Sequence, residues 1–407
     1  MPSPPTSTPT LRAHVAFALA LVFIECQLYL SQDMYLPAMP EVGREFGVSP
    51  GLAQSSVGLW LLGAMVMQPI MGPLSDRHGR RPLLLGSCVL FALASLGCAL
   101  AGPFWLFQGL RLLQGACLAG VVVTGYATIH ESLTTVQAIR TQAWMGAITV
   151  LAPAVGPLLG ALMLRTGTWR SIFLLLAAAT TMGTFALMRH MPAVVRQGDG
   201  APPTARAVLA GYADLATNAR VVAPLGILCM IIAALIAWNV LSPFLLRATF
   251  ANPNAFVLAQ LYLYGLYMVG TRVLNRHIEA IGPERLARRA AALCMGAALL
   301  VLVAALCAAP PVLTVALLGG LTLGASLLLG PMMRIILERS QHAMGMRIAL
   351  VTTAIDLSGV AVTFGGAWLH IDTLQGYAVL ATVLASIAFG LSRSRAGLGT
   401  PTTSLPA

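Results

Sequence analysis

Long apolar runs separated by short polar breaks set the rhythm of this 407-residue chain. A helix needs about 20 apolar residues to cross a hydrocarbon core of roughly 30 Å. Runs of that order lie at about 13–37, 52–74, 83–101, 104–129, 142–164, 170–188, 221–245, 255–273, 289–309, 311–333, 348–370 and 373–391. They are continuous and do not alternate with period two, so they predict helices and not barrel strands. Gly102-Pro103 and Pro310-Pro311 mark two of the tight turns between them. The longest polar stretch, His190 to Arg220, parts the twelve expected spans into six and six. The predicted organisation is a tail (1–12), a first bundle (13–190), a linker (191–220), a second bundle (221–391) and a second tail (392–407). A faint echo joins the halves: Gly72 to Gly79 follows the second run, and Gly270 to His277 follows the eighth, as an internal duplication requires.

Composition agrees with this pattern. The chain is 58% hydrophobic and only 9% charged, against about 25% charged in soluble domains, which excludes a soluble enzyme. All 24 basic residues are arginine. With the N-terminus inside, only Arg44, Arg165, Arg170 and Arg247 fall outside and Arg111 lies within a span, the other nineteen being cytoplasmic. That asymmetry explains the net charge of +11 through the positive-inside rule, not nucleic-acid binding, and places both termini in the cytoplasm. The seven cysteines sit in apolar runs without paired spacing, and the histidines lie mainly near span ends, so neither a disulfide framework nor a metal site is expected. With no lysine there is no phosphate-binding loop of the G-x-x-x-x-G-K-[ST] type. No enzymatic activity and no cofactor are expected.

The first run carries two carboxylates, Glu25 and Asp33. An acid within a bilayer costs about 3 kcal/mol or more, so intramembrane acids mark ion or substrate pathways by default. Glu25, Tyr29 and Asp33 are spaced i, i+4, i+8 and share one helical stripe, which must face a wet interior and not lipid. This is the pattern of a transporter. The competing reading has both acids as satisfied structural groups. By a rise of 1.5 Å per residue, Asp33 and Arg111 of the fourth run each lie about 12 Å from the outer edge, so an Asp33–Arg111 pair is reasonable. Gln114, one turn on, is expected to point into the cavity. Trp238, Asn239, Gln260 and Tyr264 are candidate cavity wall in the second half, although aromatics in spans more often pack. Asp356, in the eleventh run, is a second proton site or the partner of a cytoplasmic arginine.

Four motifs carry a resemblance. The loop after the second run reads Gly72-x-x-x-Asp76-Arg77-x-Gly79-Arg80-Arg81-Pro82. The fourth run holds Arg111-x-x-Gln114-Gly115, the fifth Ala152-Pro153-x-x-Gly156-Pro157-x-x-Gly160, and the first ends in Asp33-x-x-Leu36-Pro37-x-x-Pro40. Together with Gly125-Tyr126-Ala127 and Glu131-Ser132, these resemble the major facilitator superfamily, its twelve-span drug/proton antiporter branch, and within that the MdfA-like multidrug exporters. The resemblance covers nearly all of residues 13–190 and thins in the second half. The fifth run also lacks the full glycine set of the antiporter motif.

The resemblance implies an all-α membrane protein of the major facilitator fold, with twelve transmembrane helices in two six-helix bundles around a central cavity. It implies a monomer in the bacterial inner membrane that exchanges protons for lipophilic drug-like small molecules by alternating access, with the proton gradient as its energy source and no nucleic-acid partner. Glu25 and Asp33 would be the proton and substrate acids, and Arg111 the relay or the tuner of their proton affinity. Tyr29, Gln114 and Tyr126 would join the acids in the cavity. Gly72, Asp76, Arg77, Gly79, Arg80, Arg81 and Glu131 would form a cytoplasmic latch on the outward-facing state. Pro153, Gly156, Pro157 and Gly160 would form a smooth, bendable helix. The alternatives are a dedicated proton-coupled exporter or symporter of one metabolite or sugar, and a membrane sensor or assembly factor that transports nothing.

Overall fold

A computed structural model describes residues 11–149, 151–192, 210, 213–214, 216–250, 252, 254–339, 344–394 and 398. Most of the predicted linker and both tails, with Arg196, Arg206 and Arg395, lie outside the described residues. Among those described, the helices are α1 (Leu11–Asp33), α2 (Met39–Glu45), α3 (Pro50–His78), α4 (Arg80–Leu100), α5 (Phe104–Ser132), α6 (Thr135–Thr149), α7 (Ala152–Thr166), α8 (Trp169–His190), α9 (Ala219–Thr249), α10 (Ala255–Ile281), α11 (Pro283–Leu306), α12 (Pro311–Glu338), α13 (Met344–Trp368) and α14 (Leu374–Arg393). No strand occurs among the described residues.

Eleven of these helical segments are long and apolar enough to cross a membrane. The expected fifth span, 142–164, is not one helix. α6 begins seven residues before the predicted start of the apolar run, and α7 restarts at Ala152. Pro153 lies in the first turn of α7, where a missing N–H does no harm; farther inside a helix it would remove a hydrogen bond and clash with the preceding turn. The first span also ends earlier than its apolar run. α1 stops at Asp33, and Leu36–Ala38 forms a single 3₁₀ turn before α2. Pro37 and Pro40, which the chain places at this turn and in the first turn of α2, suit helix beginnings and not helix middles. Elsewhere helices outrun the apolar residues: α10 continues to Ile281 through Arg272, Arg276 and Glu279. Polar residues extend a helix beyond the hydrocarbon without registering as a span.

The chain divides into two compact units. One holds α1, the 3₁₀ turn, α3 from Leu62 onward and α4–α8; the other holds Met39–Leu61 and α9–α14. Small residues set the close approaches within each. In the first, a Cβ on Gly156 would lie 2.5 Å from Cβ of Asp33, and one on Gly160 would strike the Met34 carbonyl, so α7 runs against the end of α1. Gly183 of α8 likewise admits Ile24 and Phe23 of α1. In the second, Gly324 of α12 meets Cys294 of α11, and Gly270 of α10 meets Ser326 of α12. Where no hydrophobic drive separates lipid from helix, such small-residue faces let backbones pack closely. The outer surface is apolar in the way a lipid-facing surface must be. Val15, Leu19 and Phe23 form an exposed stripe at i, i+4, i+8 along α1, and Met182 and Phe185 of α8 are each 67% exposed.

Candidate functional site

α1 changes surroundings along its length. The exposed stripe Val15–Leu19–Phe23 in its first half is apolar, while Glu25 and Asp33 farther along are 3% and 7% exposed. Neither acid faces the lipid side. Glu25 is held by α5: the Tyr126 hydroxyl donates to Oε1 at 3.0 Å and to Oε2 at 3.1 Å. One turn earlier, Leu21 packs where Gly125 leaves room. Tyr29 lies between the two acids on the same stripe and is half-buried. Asp33 lies against the bare face of α7 at Gly156. Thus Glu25 is tied to α5 through Tyr126 and Asp33 packs on α7. Gly156 and Gly160 are where the antiporter-like helix touches the end of α1, and Pro157 lies between them inside α7.

Arg111 is fully buried but does not join this side. Its Nη1 donates to the Ser31 carbonyl at 3.1 Å and to Gln114 Oε1 at 2.7 Å. Its guanidinium lies 4.9 Å from the centre of the Tyr35 ring and 5.8 Å from that of Phe173, a cation–π cradle of the kind that partly replaces hydration. No Asp33–Arg111 ion pair forms among the described residues, contrary to the expectation from depth. The two side chains lie at similar height but on different azimuths. Arg111 meets the Ser31 backbone carbonyl and the ring of Tyr35, just past the end of α1, whereas the Asp33 side chain is about 200° round from that of Ser31 at 100° per residue and packs on α7 at Gly156. The Arg111 Nε and Nη2 atoms are buried without hydrogen-bond partners.

Gln114 is likewise corrected. It is fully buried, its Oε1 accepts from Arg111 and its Nε2 donates to Ser95 Oγ of α4 at 2.8 Å. The side chain orients the guanidinium instead of lining a wet wall, because a buried charge next to it competes for its carbonyl. The Ser31, Tyr35, Ser95 and Phe173 surround was not anticipated. Spacing offers no clue to it, because Tyr35 lies past the end of α1.

At the other end of this unit, the motif after the second run forms a charge cluster; it is not a loop, since residues 72–78 belong to α3 and residues 80–82 to α4 with only Gly79 between them. Arg80 Nη2 lies 2.6 Å from Asp76 Oδ1 and 2.8 Å from Glu131 Oε1, and Arg80 also meets Ser75 Oγ. Ends of α3, α4 and α5 are thereby joined. Gly79 caps α4 at φ 92°, ψ 152°, a conformation open essentially to glycine alone. Arg81 donates to the Met188 carbonyl of α8 at 3.0 Å. Arg77 is exposed, and Gly72 has open space around it.

In the second unit, Gln260 Nε2 donates to Asn239 Oδ1 at 3.1 Å, tying α9 to α10. Trp238 is 3% exposed and packs on Tyr377 of α14 with ring centres 5.3 Å apart; its indole N–H has no partner among the described residues. Tyr264 is half-buried on α10, and Asp356 is half-buried on α13. Among the described residues no group of three or more His, Cys, Asp or Glu side chains could hold a metal.

Apolar helices of spanning length, with an acid-bearing first helix and a buried arginine, define a polytopic membrane protein. The family model described as Major Facilitator Superfamily matches residues 21–363, and the chain belongs to that superfamily. It is 30% identical over 264 residues to the "Multidrug resistance protein MdtM" of Salmonella typhimurium, covering 65% of this chain and 64% of that protein. It is 32% identical over 266 residues to the "Multidrug transporter MdfA" of Escherichia coli O6:H1, covering 65% of each. The matched stretch thus spans slightly less than two-thirds of these curated relatives. A bacterial homologue of the human lysosomal transporter Spinster, solved in an inward-facing, unoccupied conformation, shares the fold with a TM-score of 0.75 at 13% identity, over 95% of this chain and 98% of that one.

Proposed function

We propose that this chain is a proton-coupled multidrug exporter of the bacterial inner membrane, exchanging protons for lipophilic toxic compounds by alternating access, with both termini in the cytoplasm. The observation that carries the reading is the burial of both acids of α1, Glu25 and Asp33, at 3% and 7% exposure. Burying acids in a membrane helix is costly unless their protonation is used. The names of the relatives, multidrug resistance protein and multidrug transporter, support drugs as the cargo. Glu25 and Asp33 bind proton or substrate in turn. Tyr126 supplies a hydrogen bond to the ionised form of Glu25 and must let go, or reverse its role, when the acid is protonated. Asp33, against glycine, changes protonation without breaking a bond. Arg111 acts through Ser31 and Tyr35 as a fixed positive charge beside the helix that bears both acids. Tyr29 and Tyr126 supply contacts to substrate beside the acids. The Asp76–Arg80–Glu131 cluster latches one conformation, and Asp356 on α13 serves as a second coupling acid.

A proton entering down the membrane potential supplies about 2.3 kcal/mol per 100 mV, so no cofactor is invoked. The test is proton release on drug addition to purified, weakly buffered protein. Wild type releases protons when ethidium or another lipophilic cation is added, and Glu25→Gln, Asp33→Asn does not. No release from wild type, or equal release from the double variant, removes the proposal. In everted vesicles, added drug then dissipates an imposed pH gradient, whereas a symporter would show the opposite dependence.

A further inference from the structure

Outside the acid site, the first unit carries a cleft of about 420 Å³ between α1, the end of α5 and α6, within the size range of small-ligand pockets. Its chemistry is graded. Arg140, Gln137 and His14 stand at one end, Trp144 lies one turn deeper along α6, and Leu19 and Ile148 line the far end. Arg140, Trp144 and Ile148 are spaced i, i+4, i+8, so the order cation, indole, aliphatic runs along a single helical stripe. Leu19 and Ile148 are 52% and 38% exposed, so the apolar end opens sideways onto the lipid-facing surface. No acid lines the cleft, and Arg140 has no ion pair among the described residues.

We propose that this cleft binds one anionic phospholipid, its phosphate on Arg140 with His14 beside it, its glycerol region against Trp144 and an acyl chain along Leu19 and Ile148. Three features select this occupant. The sequence of charge, amphipathic ring and hydrocarbon matches a phospholipid from headgroup to tail, since indoles favour the headgroup boundary. An unpaired cation without a neighbouring acid favours net negative headgroups over zwitterionic ones. Finally, a cleft open to the bilayer side is filled from the bilayer. Because α6 ends where α7 restarts against Asp33, a lipid seated here would brace the helix pair on which the acid site rests.

The experiment is native mass spectrometry of the full-length protein released from micelles that contain equal phosphatidylglycerol and phosphatidylethanolamine. Wild type should retain one phosphatidylglycerol in preference to phosphatidylethanolamine. Arg140→Glu should lower that retention at least about fivefold, the worth of one arginine near an anionic headgroup, while Arg189→Glu, a charge reversal at the end of α8, should not. A second reading uses phosphatidylglycerol brominated on its acyl chains in nanodiscs: it should quench a share of the protein fluorescence that Trp144→Phe removes, which requires no charge change. Equal retention of the two lipids, equal loss in Arg140→Glu and Arg189→Glu, displacement by glycerol phosphate alone, or quenching unchanged in Trp144→Phe would each overturn the proposal. The readouts are binding, so they stand or fall separately from drug export.

Discussion

Two turns, one in each unit, share a backbone and differ in charge. Between α3 and α4, Gly79 sits at φ 92°, ψ 152°; between α10 and α11, Gly282 sits at φ 82°, ψ 151°. In each, the glycine starts a helix whose first turn reaches the end of the following helix. Arg80 bonds Glu131 in the first, and Glu284 bonds Arg339 at 3.2 Å in the second. The sign of the charge on each helix is exchanged. What persists is the left-handed turn and an ion pair across it, which is what a duplicated fold keeps when its sequence drifts. What differs is the third member: Arg80 also holds a second carboxylate, Asp76, at 2.6 Å, whereas Arg339 donates to the Arg220 carbonyl at the start of α9 at 3.4 Å. The latch reading belongs to the cluster with two acids.

The sharpest way to break this comparison is to add a Cβ to each glycine. Neither position is crowded: the nearest atom to a Cβ at Gly79 is Pro82 Cδ at 3.7 Å, and nothing lies within 4 Å of one at Gly282. The cost is therefore conformational alone, about 1–3 kcal/mol for a backbone essentially restricted to glycine. Gly79→Ala and Gly282→Ala should lower the thermal midpoint of the purified protein by similar amounts. A fall for the first and none for the second would show that the two turns are not equivalent.

The ion pairs come next in size. Double-mutant cycles of Arg80→Gln with Glu131→Gln, and of Arg339→Gln with Glu284→Gln, measure each coupling with its neighbours held constant. Both pairs are partly exposed, so the Arg80–Glu131 coupling should be near 1 kcal/mol and the Arg339–Glu284 coupling about half that, because the first contact is 2.8 Å and the second 3.2 Å. Drug export should fall further in Arg80→Gln than in Arg339→Gln, since the former frees Asp76 as well. Equal couplings and equal transport would leave the first turn with no special role.

These turns also show what was legible beforehand. The motif after the second run reads as a loop, but residues 72–78 continue α3 and only Gly79 breaks the helix. In the same way the stretch 270–277 lies inside α10 and the turn falls at Gly282, because residue identity marks the region while the positive-φ glycine marks the turn. Burial was readable from the cost of charge in lipid, and Glu25, Asp33 and Arg111 are buried. Azimuth was not. Whether Arg111 meets Asp33 or Ser31 depends on how α5 is rotated against α1, which is set by Gly125 admitting Leu21 and by the Tyr35–Phe107–Phe173 ring cluster. Gln114 was assigned to the cavity for the same reason. The break between α6 and α7 was within reach, since Pro153 was in view, but an apolar run reads as continuous wherever its proline falls.

The smallest effect tests whether proximity to the second turn is enough to matter. Arg334 bonds Glu338 at 2.7 Å, one helical turn apart near the end of α12, and the two side chains are 64% and 59% exposed. Shorter than the Glu284–Arg339 contact, this pair would look the stronger on distance alone. Exposure reverses that order, because water and salt screen both partners and the pair restrains two long side chains. Arg334→Ala should therefore shift stability by no more than about 0.5 kcal/mol, less than Arg339→Gln, and leave export unchanged. Thermal scans of the two variants side by side check it. Should Arg334→Ala prove the more damaging, the contact that closes the second turn is not the one between Glu284 and Arg339, and its likeness to the first turn ends at the backbone.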